Sequence, residues 1–150
     1  MGRIIINECR VKFPAISRNE GLSRSAASAF ALQCDPTVEE IAAIKTAVSE
    51  AVTNAIVHGY RDSDGEIEMV MRLYSDGVLY IQIKDKGSGI ADVAEAMQPM
   101  FTTAPEDEER SGLGFTMMES FMDKVRVRSS VGKGTSVTLE KQIRGKGERS

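Results

Sequence analysis

The pattern of apolar residues predicts an α/β fold, a two-layer sandwich in which a mixed, mostly antiparallel sheet carries helices on one face. Three observations lead there. Residues 66–84 hold two runs of alternating apolar side chains, Ile67-Met69-Met71-Leu73 and Leu79-Ile81-Ile83, joined at Asp76-Gly77. Alternation marks half-buried strands, and Asp-Gly marks a tight hairpin turn. A second alternating pair closes the chain, with Val125, Val127 and Ser129 before the turn Ser130-Val131-Gly132-Lys133-Gly134 and Val137, Leu139 and Lys141 after it. Between an N-terminal strand and these hairpins lie helical patterns, the longest over about 38–58. Strands and helices segregated in this way make a layered sandwich.

Taken in order, residues 3–13 are β-branched and apolar and predict a first strand, ended by Pro14 and the polar run Ser17 to Glu20. Residues 19–33 predict a helix with Leu22, Ala26, Ala29, Phe30 and Gln33 on or near its inner stripe. Asp35-Pro36 breaks it. Thr37 with Glu40 three positions on has the form of a capping box. In the helix that follows, Ile41, Ile44, Val48, Ala51, Val52 and Ala55 form the apolar stripe. A polar loop, Arg61 to Gly65, leads into the first hairpin. A short helix is expected over 92–98, before Pro99. From Met100 to Ser111 no period is clear, and a loop of that length is usually functional or disordered. Gly112-Leu113-Gly114-Phe115 then opens a helix over Thr116 to Met122.

The 150 residues suit one domain, 1–140, followed by a flexible basic tail over 141–150. A net charge of −3 argues against direct nucleic-acid binding. No apolar run approaches the ~20 residues of a membrane span. Cys9 and Cys34 have no metal-type or redox-type spacing, and no signal-peptide pattern is seen near the N-terminus. Reduced thiols in a cytoplasmic protein are expected. With one histidine, His58, the chain has no multi-histidine metal site.

Chemistry concentrates in three stretches. Glu50 and Asn54 are four apart on the long helix and so share a face. A carboxylate can accept a proton, and an amide oxygen can ligate a hard cation. Polar helix faces are usually just solvated, but here Thr46, Ala47 and Val57 flank the pair, and none is long and charged. That suits the floor of a pocket. Asp85-Lys86-Gly87-Ser88-Gly89-Ile90 places an acid at a strand end, with glycines that permit positive φ and close approach of a ligand. A plain glycine turn is the alternative. Gly112 and Gly114 precede a helix, whose first N–H groups suit phosphate oxygens, although glycines also simply bend a chain.

In this order the motifs resemble those of the GHKL ATPases over nearly the whole chain. Glu50 to Gly59 is similar to the N-box, Asp85 to Ile90 to the first glycine box, Ser111 to Phe115 to the second, and Gly132 to Thr135 to the last nucleotide-contacting turn. Within that superfamily, the runs S-E-A-V-T-N-A-I-V-H-G-Y, P-M-F-T-T and E-R-S-G-L-G-F-T-M-M-E-S-F-M-D resemble its anti-sigma factors of spore-forming bacteria, which are also serine kinases. The resemblance implies a small cytoplasmic homodimer, free of membrane and of direct nucleic-acid contact, that binds ATP or ADP with Mg²⁺. It implies that the ATP form holds sigma factor F and that a serine of an anti-anti-sigma factor is phosphorylated.

The same resemblance implies roles for residues. Asp85 would accept a hydrogen bond from the adenine amino group, Gly87 and Gly89 would turn beneath the base, and Thr135 would add a hydroxyl contact. Asn54 would ligate Mg²⁺ and Glu50 would be the general base. Thr102 and Thr103 in a lid over 97–111, with Ser111, Gly112, Gly114 and Phe115, would hold the nucleotide. Arg110 would steady the transferring phosphoryl group or hold a partner. Arg24 on the first helix would contact partner proteins, although an exposed helical arginine reads the same. His58 matches the N-box histidine, with a structural contact as its alternative role. Three other readings remain. A histidine-kinase catalytic domain would need a separate acceptor histidine. The general-stress anti-sigma kinases share the motifs. A binding module without phosphotransfer would lack the base, and Glu50 is present.

Overall fold

The computed structural model describes residues 3–60, 65–89 and 106–145. Five strands are formed: β1 (Ile5–Pro14), β2 (Glu66–Tyr74), β3 (Val78–Asp85), β4 (Lys124–Ser130) and β5 (Gly134–Gln142). Among the described residues three α-helices accompany them, α1 (Arg18–Ala31), α2 (Val38–Asn54) and α3 (Glu106–Phe121). The sheet order is β1-β2-β3-β5-β4. Every ladder is antiparallel, so the mixed sheet that was expected narrows to a wholly antiparallel one among the described residues. Two tight hairpins, β2–β3 and β4–β5, account for two of the ladders, and β5 lies between β3 and β4, so that β5 and not β4 is the neighbour of β3.

Alternation along the strands separates the two faces of the sheet. Ile67, Met69, Met71, Leu79, Ile81, Ile83, Val137 and Leu139 are buried in one core with Ile44, Ala47, Val48, Ala51 and Val52 of α2 and Phe115 and Met118 of α3. Each large side chain fully buried there contributes roughly 1.5–3 kcal/mol. The opposite face bears a polar lattice in which Arg10 lies near Glu8 and Glu68, and Arg72 near Glu8. The Arg72 guanidinium also covers the Tyr80 ring at 5.0 Å. A sheet covered on one side only is the two-layer arrangement.

Local chemistry explains the element ends. The capping box is present: Glu40 N–H donates to Thr37 Oγ1 at 3.0 Å, and Thr37 N–H donates to Glu40 Oε1 at 2.9 Å. Gly77, at φ +84°, makes the Asp76-Gly77 turn.

Three element expectations are corrected. The inner face of α1 is Ser23, Ala27, Phe30 and Ala31, whereas Leu22, Ala29 and Gln33 are exposed. Small side chains let α1 lie close against α2, and the buried Ser23 hydroxyl is satisfied by donating to Glu20 O at 2.6 Å. Pro14 ends β1 as expected, forming its last residue, since a proline is tolerated on an edge strand. The long helix is α-helical only to Asn54, and residues 55–60 wind wider, as a π-helical turn. Of the tail expected over 141–150, residues 146–150 lie outside the described residues; β5 runs to Gln142, Ile143 is buried, and Arg144 and Gly145 N–H groups donate to the Glu40 carboxylate at 2.8 and 3.2 Å. That carboxylate therefore caps α2 and holds the chain end at once. Among the described residues no helix is long and apolar enough to cross a membrane.

Candidate functional site

Two clusters form on the helix-bearing side of the sheet. The first lies where α2 meets α3. Glu50 and Asn54 are half-buried in the last turns of α2, with Ala47 and Ala51 fully packed beside them. A methyl group on Gly114 of α3 would sit 3.1 Å from Glu50 Oε2 and 3.2 Å from Asn54 Nδ2. The glycine is thus what lets α3 lie directly on the two polar side chains. Asn54 Nδ2 is buried with no hydrogen-bond partner among the described residues. A buried carboxamide left partly unpaired is costly. Phe115, next along α3, is fully buried and anchors the contact.

The second cluster lies at the end of β3. Asp85 continues the inward row of Ile81 and Ile83 and is buried. Burial pushes its carboxyl above the usual carboxylate range, against the backbone N–H groups of Gly87 and Thr135, which donate to it. The Gly87 bond to Asp85 Oδ1 is 2.9 Å. Gly89, at φ +79°, packs against the β4–β5 turn so closely that a side chain would collide with the Ser130 carbonyl, and Gly132 N–H donates to Ser88 O at 2.8 Å. Gly134, at φ +94°, lies against the Asp85 backbone in the same way. The first glycine box and the terminal turn are therefore one packed unit. The expectation gave Gly87 and Gly89 to a ligand. The structure uses Gly89 for this packing. Gly134, which forms the same contact from the other side, lies in the expected turn Gly132 to Thr135, where the sequence pattern assigned it no role of its own.

Residues 55–60 join the two clusters, since this segment follows directly on Asn54 and packs against α3, β3 and β5. Thr135 pairs with Asp85 across the β3–β5 ladder, so its side chain is on the same face.

One expectation about this region is corrected. Gly112 and Gly114 do not open a helix. α3 begins at Glu106, so both glycines lie within it and the lid expected over 97–111 is helical from 106. Glu106-Asp107-Glu108-Glu109 is a run of acids that suits the positive end of a helix dipole, which explains the earlier start. Thr102 and Thr103 lie outside the described residues, as do the side chains of His58, Arg110, Ser111 and Gly112's surroundings. Arg24 is partly exposed on α1 and pairs with Glu20 at 2.6 Å, one turn back. The structure does not bring it to either cluster. Among the described residues no group of three or more His, Cys, Asp or Glu is placed to hold a metal, so any cation here would rely on few protein ligands.

Residues 13–141 match the model of the family described as histidine kinase-like ATPase domain. The chain is 53% identical over 137 residues to an anti-sigma F factor of Geobacillus sp. (strain WCH70), covering 91% of this chain and 93% of that one. It is 50% identical over 138 residues to the anti-sigma F factor of Priestia megaterium, with the same coverage. The chain belongs to the anti-sigma F factor family of histidine kinase-like ATPases.

The family's fold is also that of solved structures. The RsbU and RsbW domains of Rv1364c from Mycobacterium tuberculosis superpose with a TM-score of 0.67 at 22% identity, over 91% of this chain and 32% of that one. The histidine kinase domain of the Erythrobacter litoralis EL346 blue-light activated kinase superposes with a TM-score of 0.53 at 19% identity, over 87% of this chain and 62% of that one. The two clusters bring different groups together. One has a carboxylate and a carboxamide, and the other has a buried acid beside a hydroxyl.

Proposed function

We propose that this protein is an ATP-dependent anti-sigma factor and serine kinase. In the ATP form it holds sigma factor F, and it transfers the γ-phosphoryl group to a serine of an anti-anti-sigma factor. The observation that carries the reading is the meeting of Glu50, Asn54 and Gly114 where α2 and α3 touch. Asp85 accepts from the adenine amino group, which guanine lacks at that position, and the Thr135 hydroxyl adds to the same side. Asn54 would offer its side-chain oxygen to Mg²⁺, a hard cation that takes few protein ligands. When bound, Mg²⁺ neutralises charge on the phosphate oxygens. Glu50 takes the proton of the attacking seryl hydroxyl as that oxygen bonds to phosphorus and ADP leaves. Arg110 stabilises the transferring group or a partner, and Ser111 and Gly112 with Thr102 and Thr103 complete the nucleotide contacts, while Phe115, expected among them, is buried in the core and holds α3 in place.

The partners are sigma factor F, the anti-anti-sigma factor and, in a cytoplasmic homodimer, a second copy. Arg24 serves partner binding. Support for a partner role comes from the relatives' names and from a first strand that lies at a sheet edge with Ile4, Ile5 and Ile6 exposed. The test combines pull-down from a sporulating lysate with radiolabelled ATP. Wild-type protein should recover a sigma factor in ATP and label a serine on a second protein. Glu50→Gln should bind ATP normally and label nothing. Normal labelling by that variant would remove Glu50 as the base, and recovery of no sigma factor would sink the anti-sigma reading.

A further inference from the structure

Strand β4 forms one edge of the sheet, and among the described residues its only ladder is with β5. Its other side therefore presents unpaired backbone N–H and C=O groups. Val125 and Val127 pack toward the core, and Lys124, Arg126 and Arg128 alternate with them on the opposite face, all three exposed. Alternate strand residues stand ~6.6–6.8 Å apart, so the cations make an even row. Across the ladder Arg126 and Arg128 meet Thr138 and Ser136, which are neutral. Glu140, opposite Lys124, is held by Arg3 at 2.9 Å. Elsewhere on the same face Arg10, Arg72 and Lys84 each lie against Glu8 or Glu68. The sheet answers those cations with its own acids, whereas among the described residues the β4 row has no ion-pair partner.

We propose that β4 is a docking edge that takes, by strand addition, an extended acidic segment of a partner protein. The segment is about seven residues long, the length of β4, with carboxylates at alternate positions. Those carboxylates face Lys124, Arg126 and Arg128. The residues between them are apolar and extend the row of Val125 and Val127, which are only partly buried. Main-chain hydrogen bonds supply the attachment, and the charge row fixes register and chemistry. A like-charged edge also repels a second copy of itself, so the row that keeps copies apart selects a partner of opposite sign. The three cations lie on the face opposite the helices, away from Glu50, Asn54 and Asp85, so the docking edge stands apart from the nucleotide reading.

The probe is the capped peptide Val-Glu-Val-Glu-Val-Glu-Val, titrated into the nitrogen-15-labelled full chain without nucleotide and followed by amide shifts and amide exchange. Shifts should gather on residues 124–130, and the outward amides of β4 should gain protection. Affinity should fall about threefold in Arg126→Ala and in Arg128→Ala, the weight of one exposed ion pair, and added salt should weaken the wild-type complex. Replacing Lys124, Arg126 and Arg128 together by glutamate should abolish binding of this peptide and admit its counterpart with lysine in place of glutamate. If that triple variant does not fold, the two alanine variants, which only shorten exposed side chains, decide the matter. A peptide of the same composition with its glutamates in one block should bind more weakly, since it cannot set them at alternate positions. Shifts centred on β1 or on the helices, unchanged affinity in both alanine variants, or equal binding of the block peptide would each overturn the proposal. So would equal binding of oligothymidylate, which would make the row a general polyanion contact, and so would no binding of the alternating peptide.

Discussion

Replacing Gly114 by alanine places a methyl group where α3 lies on Glu50 and Asn54. Two effects on stability oppose each other. Alanine in a helix interior gains about 0.8–1.0 kcal/mol over glycine. The new Cβ, however, starts 3.1 Å from Glu50 Oε2 and 3.2 Å from Asn54 Nδ2, inside ordinary contact at ~3.5–4.0 Å, and such overpacking costs about 1–3 kcal/mol. The net loss is about 1 kcal/mol, or roughly 3 °C in Tm for a chain of this size. The effect on chemistry is larger. Relief of the contact moves the two polar ends by a few tenths of an ångström, and misplacement on the scale of ~1 Å costs about a hundredfold in rate. On the proposed kinase reading, phosphotransfer to a serine should fall tenfold or more, with the fold intact by circular dichroism. The assay is single-turnover transfer of labelled phosphate beside a thermal melt. A Gly114→Ala protein that melts within a few degrees of wild type and transfers phosphate at the wild-type rate would refute the argument that this glycine shapes the Glu50–Asn54 pair.

Three further outcomes follow from the geometry. Burial raises the Asp85 carboxyl pKa in the folded state, so its contribution to stability is present below the unfolded pKa and lost as pH rises through the folded one. At pH 7 Asp85→Asn should therefore melt at or above the wild-type temperature while ATP affinity, read by calorimetry, falls at least about tenfold; a lower Tm with unchanged ATP affinity would contradict both halves. Burial also opposes ionisation of Glu40, but backbone N–H groups of Thr37, Arg144 and Gly145 and the Thr37 side chain together hold its pKa below the ordinary value. Its contribution is then present above the unfolded pKa and lost as pH falls through the folded one, so Glu40→Ala should cost about 2 kcal/mol in urea unfolding at pH 7 and progressively less below about pH 4. Gly89→Ala should cost more than about 2 kcal/mol, because a left-handed backbone is combined with collision against Ser130. Gly132→Ala, at the same φ with open space around it, should cost only the ~1 kcal/mol of the conformation; equal melting temperatures for the two would remove the packing argument.

Much was legible in short-range chemistry. The capping box at Thr37 and Glu40, the Asp76-Gly77 turn and the alternation of β2 and β3 involve residues within a few positions of one another, so one strand of text contains the whole interaction. The i, i+4 spacing of Glu50 and Asn54 placed them on one face for the same reason, and the structure finds them half-buried rather than solvated. Residues 41–55 show the limit of periodicity. Ala43 and Ala47 are as much part of the buried face as the larger Ile44 and Val48, and small side chains weigh little in a hydrophobic pattern.

What tertiary structure decided involves groups far apart in the chain. α1 is rotated from its expected face because contact with α2 selects Ser23, Ala27 and Ala31, which are small enough to let the helices approach. α3 starts at Glu106 because an acidic run can begin a helix, and glycines alone could not show whether they lay before it or inside it. Glu40 holds residues more than a hundred positions away, which no local pattern encodes. Residue types and spacings by themselves determined which side chains could do chemistry: a carboxylate and a carboxamide on one helical face, an acid at a strand end, glycines and a threonine in a terminal turn. Only the packing of α3 on α2, and of the β4–β5 turn on the end of β3, decided which of these meet. Such contacts are set by the shape of a whole core, and a core is made by residues that the chain brings together only when folded.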